Sequence, residues 1–205
     1  MMDQISPRKS AWRASLSEMI RTSVASTTFA VLLLISWTLG AAAAQVGSVT
    51  AVANQAQIDA TAAVVGASIH MDDRLRTGPN GRLQVTFSDG SVLTLGENAS
   101  VVVNRFVYNP EKSKGEVLLS ASQGAIRFAG GKLKEMTDRK ITVNTPSAAL
   151  AVRGTEFWAG PIDGKYGVLL LKGRVGVSNR RGAVALSTPG TGTDLPLRHK
   201  KAVVR

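Results

Sequence analysis

Beyond Ala44, apolar residues recur with period two, in short runs separated by glycine. This alternation limits what the chain can fold into. Arg82-Leu-Gln-Val-Thr-Phe87 sets Leu83, Val85 and Phe87 on one face, and Lys140-Ile-Thr-Val-Asn-Thr145 does the same with Ile141 and Val143. Successive strand side chains point to opposite faces, so such runs read as strands with one face buried. No stretch after Ala44 sustains a 3.6-residue period with caps. Short runs at roughly ten-residue spacing, with turn signals between them, predict an all-β domain. Sandwich or jelly-roll-like, barrel and short β-solenoid forms remain open.

Two turns can be read in register. For Ser88-Asp-Gly-Ser91, a three-residue loop from Ser88 to Gly90 pairs Val85 with Leu93 and Leu83 with Leu95, which a two-residue loop does not. That loop needs a left-handed residue, which Gly90 supplies. At Lys172-Gly173, a two-residue hairpin would pair Leu170 with Val175 and Val168 with Val177. Arg180-Arg181, before Gly182, reads as another hairpin turn. Asn104 to Gly115 is expected to be a long exposed loop. Residues 186–205 are expected to be a basic tail ending in Arg198-His-Lys-Lys201 and Arg205.

The first 44 residues read as a processing segment. No charged side chain lies between Arg21 and Asp59, and Phe29 to Leu39 is a compact apolar run followed by Ala41-Ala-Ala-Ala44. A basic start, a short apolar run and a small-residue end describe a secretory signal peptide cut after Ala44. Translation from Met19 would shorten the leader to an ordinary length. An uncleaved anchor over residues 24–44 is the rival reading, disfavoured because that window ends in Gly and Ala. Either reading places the remainder across a membrane, in a bacterial periplasm.

Composition then excludes chemistry. The chain has no cysteine and two histidines, His70 and His199. Disulfides, thiolate metal sites and Cys nucleophiles are ruled out. No Ser-His-acid grouping, no multi-His metal centre and no cofactor motif is present, so a non-enzymatic protein without a cofactor is expected. Asp72-Asp73 with Glu97 lacks a calcium-loop pattern. The net charge is +11. Removing residues 1–44 leaves 161 residues and a net charge of +9. Aromatics are 5% of the chain, and no nucleic-acid motif is present. The positive charge therefore suits an anionic envelope polymer or an acidic partner protein better than nucleic acid.

Several short motifs occur in a fixed order. They are Thr77-Gly78, Asp89-Gly90-Ser91, Gly124, Thr145-Pro146, Arg153-Gly154-Thr155-Glu156-Phe157, and Gly173 before a Val-x-Val strand. Together, over about residues 70–178, they resemble the FecR domain. The resemblance implies a non-catalytic regulatory or binding domain of the cell envelope, taking part in signalling or transport there. Regulators of that family also carry a cytoplasmic helical part and a receptor-contacting region, and this sequence matches neither. A stand-alone exported domain, residues 45–185, is expected. Its candidate partner-binding residues are Arg105, Phe106, Tyr108 and Lys112, on the expected 104–115 loop. Sensing of a small ligand, a sugar or a ferric chelate, is the alternative.

Overall fold

A computed structural model describes residues 44–195. The leader and the run Arg198 to Lys201 with Arg205 lie outside the described residues. Among the described residues, no helix is long and apolar enough to cross a membrane.

The described chain is almost entirely strand. In order, the first strands are β1 (Gln45–Ala53), β2 (Ala56–Ile58), β3 (Thr61–Ala62), β4 (Ser68–His70), β5 (Arg74–Thr77), β6 (Arg82–Phe87) and β7 (Val92–Leu95). There follow β8 (Ser100–Asn109), β9 (Lys114–Gln123), β10 (Ile126–Ala129), β11 (Asp138–Asn144), β12 (Ala149–Ile162), β13 (Lys165–Asn179), β14 (Gly182–Leu186) and β15 (Gly192–Leu195). One 3-10 turn, Lys132–Glu135, separates β10 from β11.

All fifteen strands join one sheet, in the order β3-β2-β5-β8-β9-β11-β12-β10-β7-β6-β1-β4. β13 lies beside β12 along its whole length, while β14 and β15 follow one another along the far edge of β13. The two ends of that order, β3 and β4, are consecutive in the chain. The loop between them is bonded to both ends of the sheet: Ala63 N–H donates to Ala56 of β2, and Gly66 N–H to Val49 of β1. The sheet therefore curls back on itself into a half-barrel. Phe87 of β6 and Phe106 of β8, which are not neighbours in the sheet, stack with ring centroids 5.0 Å apart. The curl encloses a single core, where Leu83, Leu93, Leu95, Phe128, Phe157 and Leu170 are fully buried. Burying each such side chain contributes about 2 kcal/mol.

The all-β reading and the Ser88–Gly90 register hold. Val85 opposes Leu93, Leu83 opposes Leu95, and Gly90 has a φ of +80°. The turn at Arg180-Arg181 also holds, with Asn179 paired to Gly182.

Three local expectations are corrected. Residues 104–115 do not form a long loop. Asn104 to Asn109 completes β8, and only a tight turn at 110–113 precedes β9. Lys172-Gly173 is not a hairpin either: β13 runs through it, Leu170 opposes Phe157 and Val175 opposes Val152. The hairpin closes instead at Asp163-Gly164, with φ of +47° and +75°, the two-residue geometry that matches strand twist. Finally, the stretch expected to begin a tail contributes β15, whose Leu195 is buried against the core.

Candidate functional site

The ordered motifs occupy the joints of the sheet. Asp89 and Ser91 are buried polar residues at the β6–β7 turn. The Asp89 carboxylate accepts from Ser91 N–H at 2.9 Å, from Ser91 O–H at 2.6 Å and from Leu133 N–H at 3.1 Å. Ser91 Oγ in turn accepts from Gly131 N–H at 2.8 Å. This network staples the 3-10 turn over the end of the core, and buried polar groups persist when so satisfied. The Thr77 hydroxyl bonds both the Gly96 carbonyl and the Ala99 N–H, and Gly78 N–H donates to Gln55. Thr145, before Pro146, closes its turn through two side-chain bonds to the Ala148 backbone.

The Arg153-Gly154-Thr155 motif and Gly173 meet across one corner. Arg153 opposes Arg174 and Glu156 opposes Lys172, so two residues of β12 face the single Gly173 of β13. Gly154 and Gly173 have φ of +63° and +85°, left-handed values that glycine adopts without Cβ strain. The bulge bends both strands at one place and lets them serve both halves of the curl. Phe157, the last motif residue, is fully buried and lies 6.1 Å from Phe128.

On the convex face, charge is distributed unequally about that corner. Beyond it, Arg127 is ion-paired with Glu156, with Nε 2.9 Å from Oε1. Before it, the exposed Arg153 and Arg174 are direct cross-strand partners. Lys140, the residue preceding Ile141 on β11, continues their row, because Ile141 opposes Val152. Glu116 stands opposite Lys140 and binds Arg105 at 2.7 Å. The row Arg105, Glu116, Lys140, Arg153, Arg174 thus holds four cations and one carboxylate. Next to it lie small side chains, with Ala151 opposite Gly176 and Gly176 opposite Ala185. The arrangement is a positively charged, flat surface, suited to attracting an anionic partner.

The four expected partner-binding residues do not form one patch. Phe106 is buried in the core stack rather than exposed, and Tyr108 is half-buried against the core. A bulge between Val103 and Arg105 sets Phe106 in phase with the interior. Arg105 does stand exposed, on the convex face, and Lys112 is exposed at the turn, its N–H bonded to Asn109. Arg153 is among the motif residues read from the sequence; its placement in one row with Lys140 and Arg174 is what the structure adds. The signal for them was present in the alternation that fixes which residues of β11, β12 and β13 point outward.

The interior of the curl is packed with the buried core side chains named above. The described hollows lie at the surface, one lined by Asn80, Gly81, Arg82 and Glu97, the other by Trp158, Pro161, Ile162 and Leu169. Among the described residues, no three His, Asp or Glu side chains gather as a metal site. One polar atom is buried without a partner there, the Tyr166 hydroxyl, and burial pushes its pKa up to about 12.

The model of the family described as FecR protein matches residues 73–176, just over half of the chain. The chain belongs to the FecR family. The matched span begins just before β5 and ends within β13, so it contains the motif joints described in this section. No curated protein matches the chain. Among solved structures, the chain is similar to a candidate anti-sigma factor from Parabacteroides distasonis ATCC 8503, at 18% identity and a TM-score of 0.51. That alignment covers 63% of this chain and 57% of that one. A second crystal structure with the same description aligns at 18% identity, with the same coverage of both chains and a TM-score of 0.47. At such identity the likeness is one of fold, and this chain spans little more than half the length of the solved one.

Proposed function

We propose that this FecR-family chain is a non-catalytic, exported domain that contacts a protein or envelope component and serves regulation at the cell envelope. The cationic row on the convex face carries the reading. Exposed cations gathered on one face raise the local concentration of an anionic partner at that face. Family membership supports a regulatory role, and the solved candidate anti-sigma factor of similar fold agrees with it. The uncharged apolar run ending at Ala41 to Ala44 supports export to the periplasm. The exposed cations of the convex face favour surface recognition over small-ligand sensing.

Immobilised full-length protein incubated with envelope extract tests this. Specific retention at about 50 mM salt, weakening strongly by about 300 mM, is expected, because salt screens exposed charges. Retention of nothing at low salt would sink the binding role.

A further inference from the structure

Closure of the curl leaves one kind of edge open. The loop joining β3 and β4 is bonded to β2 and β1, but β14, like the shorter β15, pairs only with β13 among the described residues. Its sequence, Gly182-Ala-Val-Ala-Leu186, has no charged side chain, and Ala183 and Ala185 are exposed. The two-residue turn makes Asn179 and Gly182 a hydrogen-bonded pair, and the pattern then alternates along an antiparallel ladder. Val184 and Leu186 therefore bond to β13, while the N–H and C=O groups of Ala183 and Ala185 point away from it. An edge of this kind is a template for another strand unless charge, proline or a bulge blunts it. None of these interrupts Gly182 to Leu186.

The surroundings select the strand that would fit. Between Asp163 and Asp194 there is no acidic residue, while Lys165, Lys172, Arg174, Arg180 and Arg181 all lie there. Arg180 and Arg181 are exposed at one end of β14, and Arg174 lies on β13 just beyond the other. The convex face between is low, formed by Ala183, Ala185 and Gly176, so side chains of an added strand can lean across it toward these cations.

We propose that the open edge of β14 receives an extended, acidic segment of a partner protein, added antiparallel or parallel as a further strand. This inference rests on the reading that the domain binds a protein, and it assigns the place and chemistry of binding. Backbone hydrogen bonds to Ala183 and Ala185 supply register-tolerant affinity, and the flanking arginines select for acidic side chains. A second copy of this chain is disfavoured as occupant, because each copy brings the same acid-free stretch.

Isotope-labelled full-length protein, titrated with a synthetic octapeptide of alternating valine and glutamate, tests the proposal. Amide exchange at Ala183 and Ala185 should slow about tenfold or more, as expected for newly bonded edge amides. Ala185→Pro removes an outward N–H without touching the β13–β14 ladder and should weaken peptide binding about tenfold. The R180E/R181E double variant should weaken it comparably while keeping the fold, so the test survives if the proline variant misfolds. A valine–lysine octapeptide should not bind. Unchanged exchange at the two alanines, full binding by both variants, equal binding of the lysine peptide, or the same protection from phosphatidylglycerol vesicles alone would overturn the proposal. So would a concentration-dependent dimer that already protects these amides. An envelope partner retained equally by wild type and Ala185→Pro would overturn the edge assignment alone, leaving the wider binding role intact.

Discussion

The hairpin of β12 and β13 runs through two differently built regions, one on each side of the Gly154–Gly173 corner. Beyond the corner, Arg127 is ion-paired with Glu156 on the convex face, and the Gln84 and Thr86 side chains both donate to the Thr50 hydroxyl. The same half carries the buried Asp89–Ser91 staple. Before the corner, Arg153 faces Arg174 with Lys140 next in row, over a floor of alanine and glycine. Both regions share one core and one pair of strands, so packing alone does not account for the contrast. One half holds the buried staple and the Arg127–Glu156 pair, and the other gathers exposed cations on its outer face.

The comparison can be broken most forcefully at the staple. Asp89→Ala leaves the Ser91 and Leu133 N–H groups and the Ser91 hydroxyl without their acceptor in a buried site. It should cost about 3 kcal/mol, since each orphaned buried group is expensive. Chemical denaturation should show a lower midpoint at unchanged m-value. A loss under about 1 kcal/mol would mean that the turn is not a structural anchor.

The corner comes next. Gly154 has a φ of +63° and nothing within 4 Å of where a Cβ would sit, so the Cβ of Gly154→Val meets backbone strain rather than a neighbour. About 2 kcal/mol should be lost. Gly176, a glycine of ordinary φ farther along β13, has only a 3.8 Å contact awaiting a Cβ, and Gly176→Ala should be neutral within about 0.5 kcal/mol. Equal melting shifts for the two variants would remove the conformational argument for the corner.

These joints also show how far the sequence could be read. Alternation revealed the fold class, the buried face of β6 and β7, and the Ser88–Gly90 register, because there the period-two pattern runs unbroken into a turn. The misread loop and the misread hairpin have one cause. From Val101 and Val103 to Phe106 and Tyr108, and from Val168 and Leu170 to Val175 and Val177, the interior phase slips by one residue. A slip signals either a turn or a bulge, and local sequence does not distinguish them. Both are bulges within continuous strands. The true turn, Asp163-Gly164, carried a strong hairpin signal, but its partners were concealed by the slip at Gly154-Thr155. The cationic row was concealed for the same reason, since it depends on registers between strands distant in sequence.

Tyr166 tests the stable half by pH. Its hydroxyl is buried without a partner among the described residues, and its pKa is raised from 10.0 to about 12 by burial. The folded state therefore holds the proton more tightly than the unfolded chain. Ionisation of Tyr166 therefore leaves stability untouched below about pH 10 and lowers it progressively as pH rises from about 10 to about 12. Tyr166→Phe should remove this alkaline loss and, at neutral pH, stabilise by up to about 1 kcal/mol by deleting an unsatisfied polar group. An alkaline stability profile identical in wild type and variant would assign the loss to other groups.

The smallest expected effect addresses the contrast most directly. Arg174→Glu turns the like-charged pair with Arg153 into an opposite-charged one, the arrangement already present at Arg127 and Glu156. The variant should be more stable than wild type by roughly 0.5 kcal/mol at low ionic strength. The gain should shrink toward zero by about 0.5 M salt, because both side chains are exposed and screened. Retention of an acidic partner should fall in the same variant, since the row loses one cation and gains an anion. Together, a slightly better fold and a poorer ligand surface would show that this half of the sheet gives up stability for recognition. A variant that binds as wild type does would return Arg153 and Arg174 to the status of ordinary surface charge, and the convex face would lose its claim to be the contact surface.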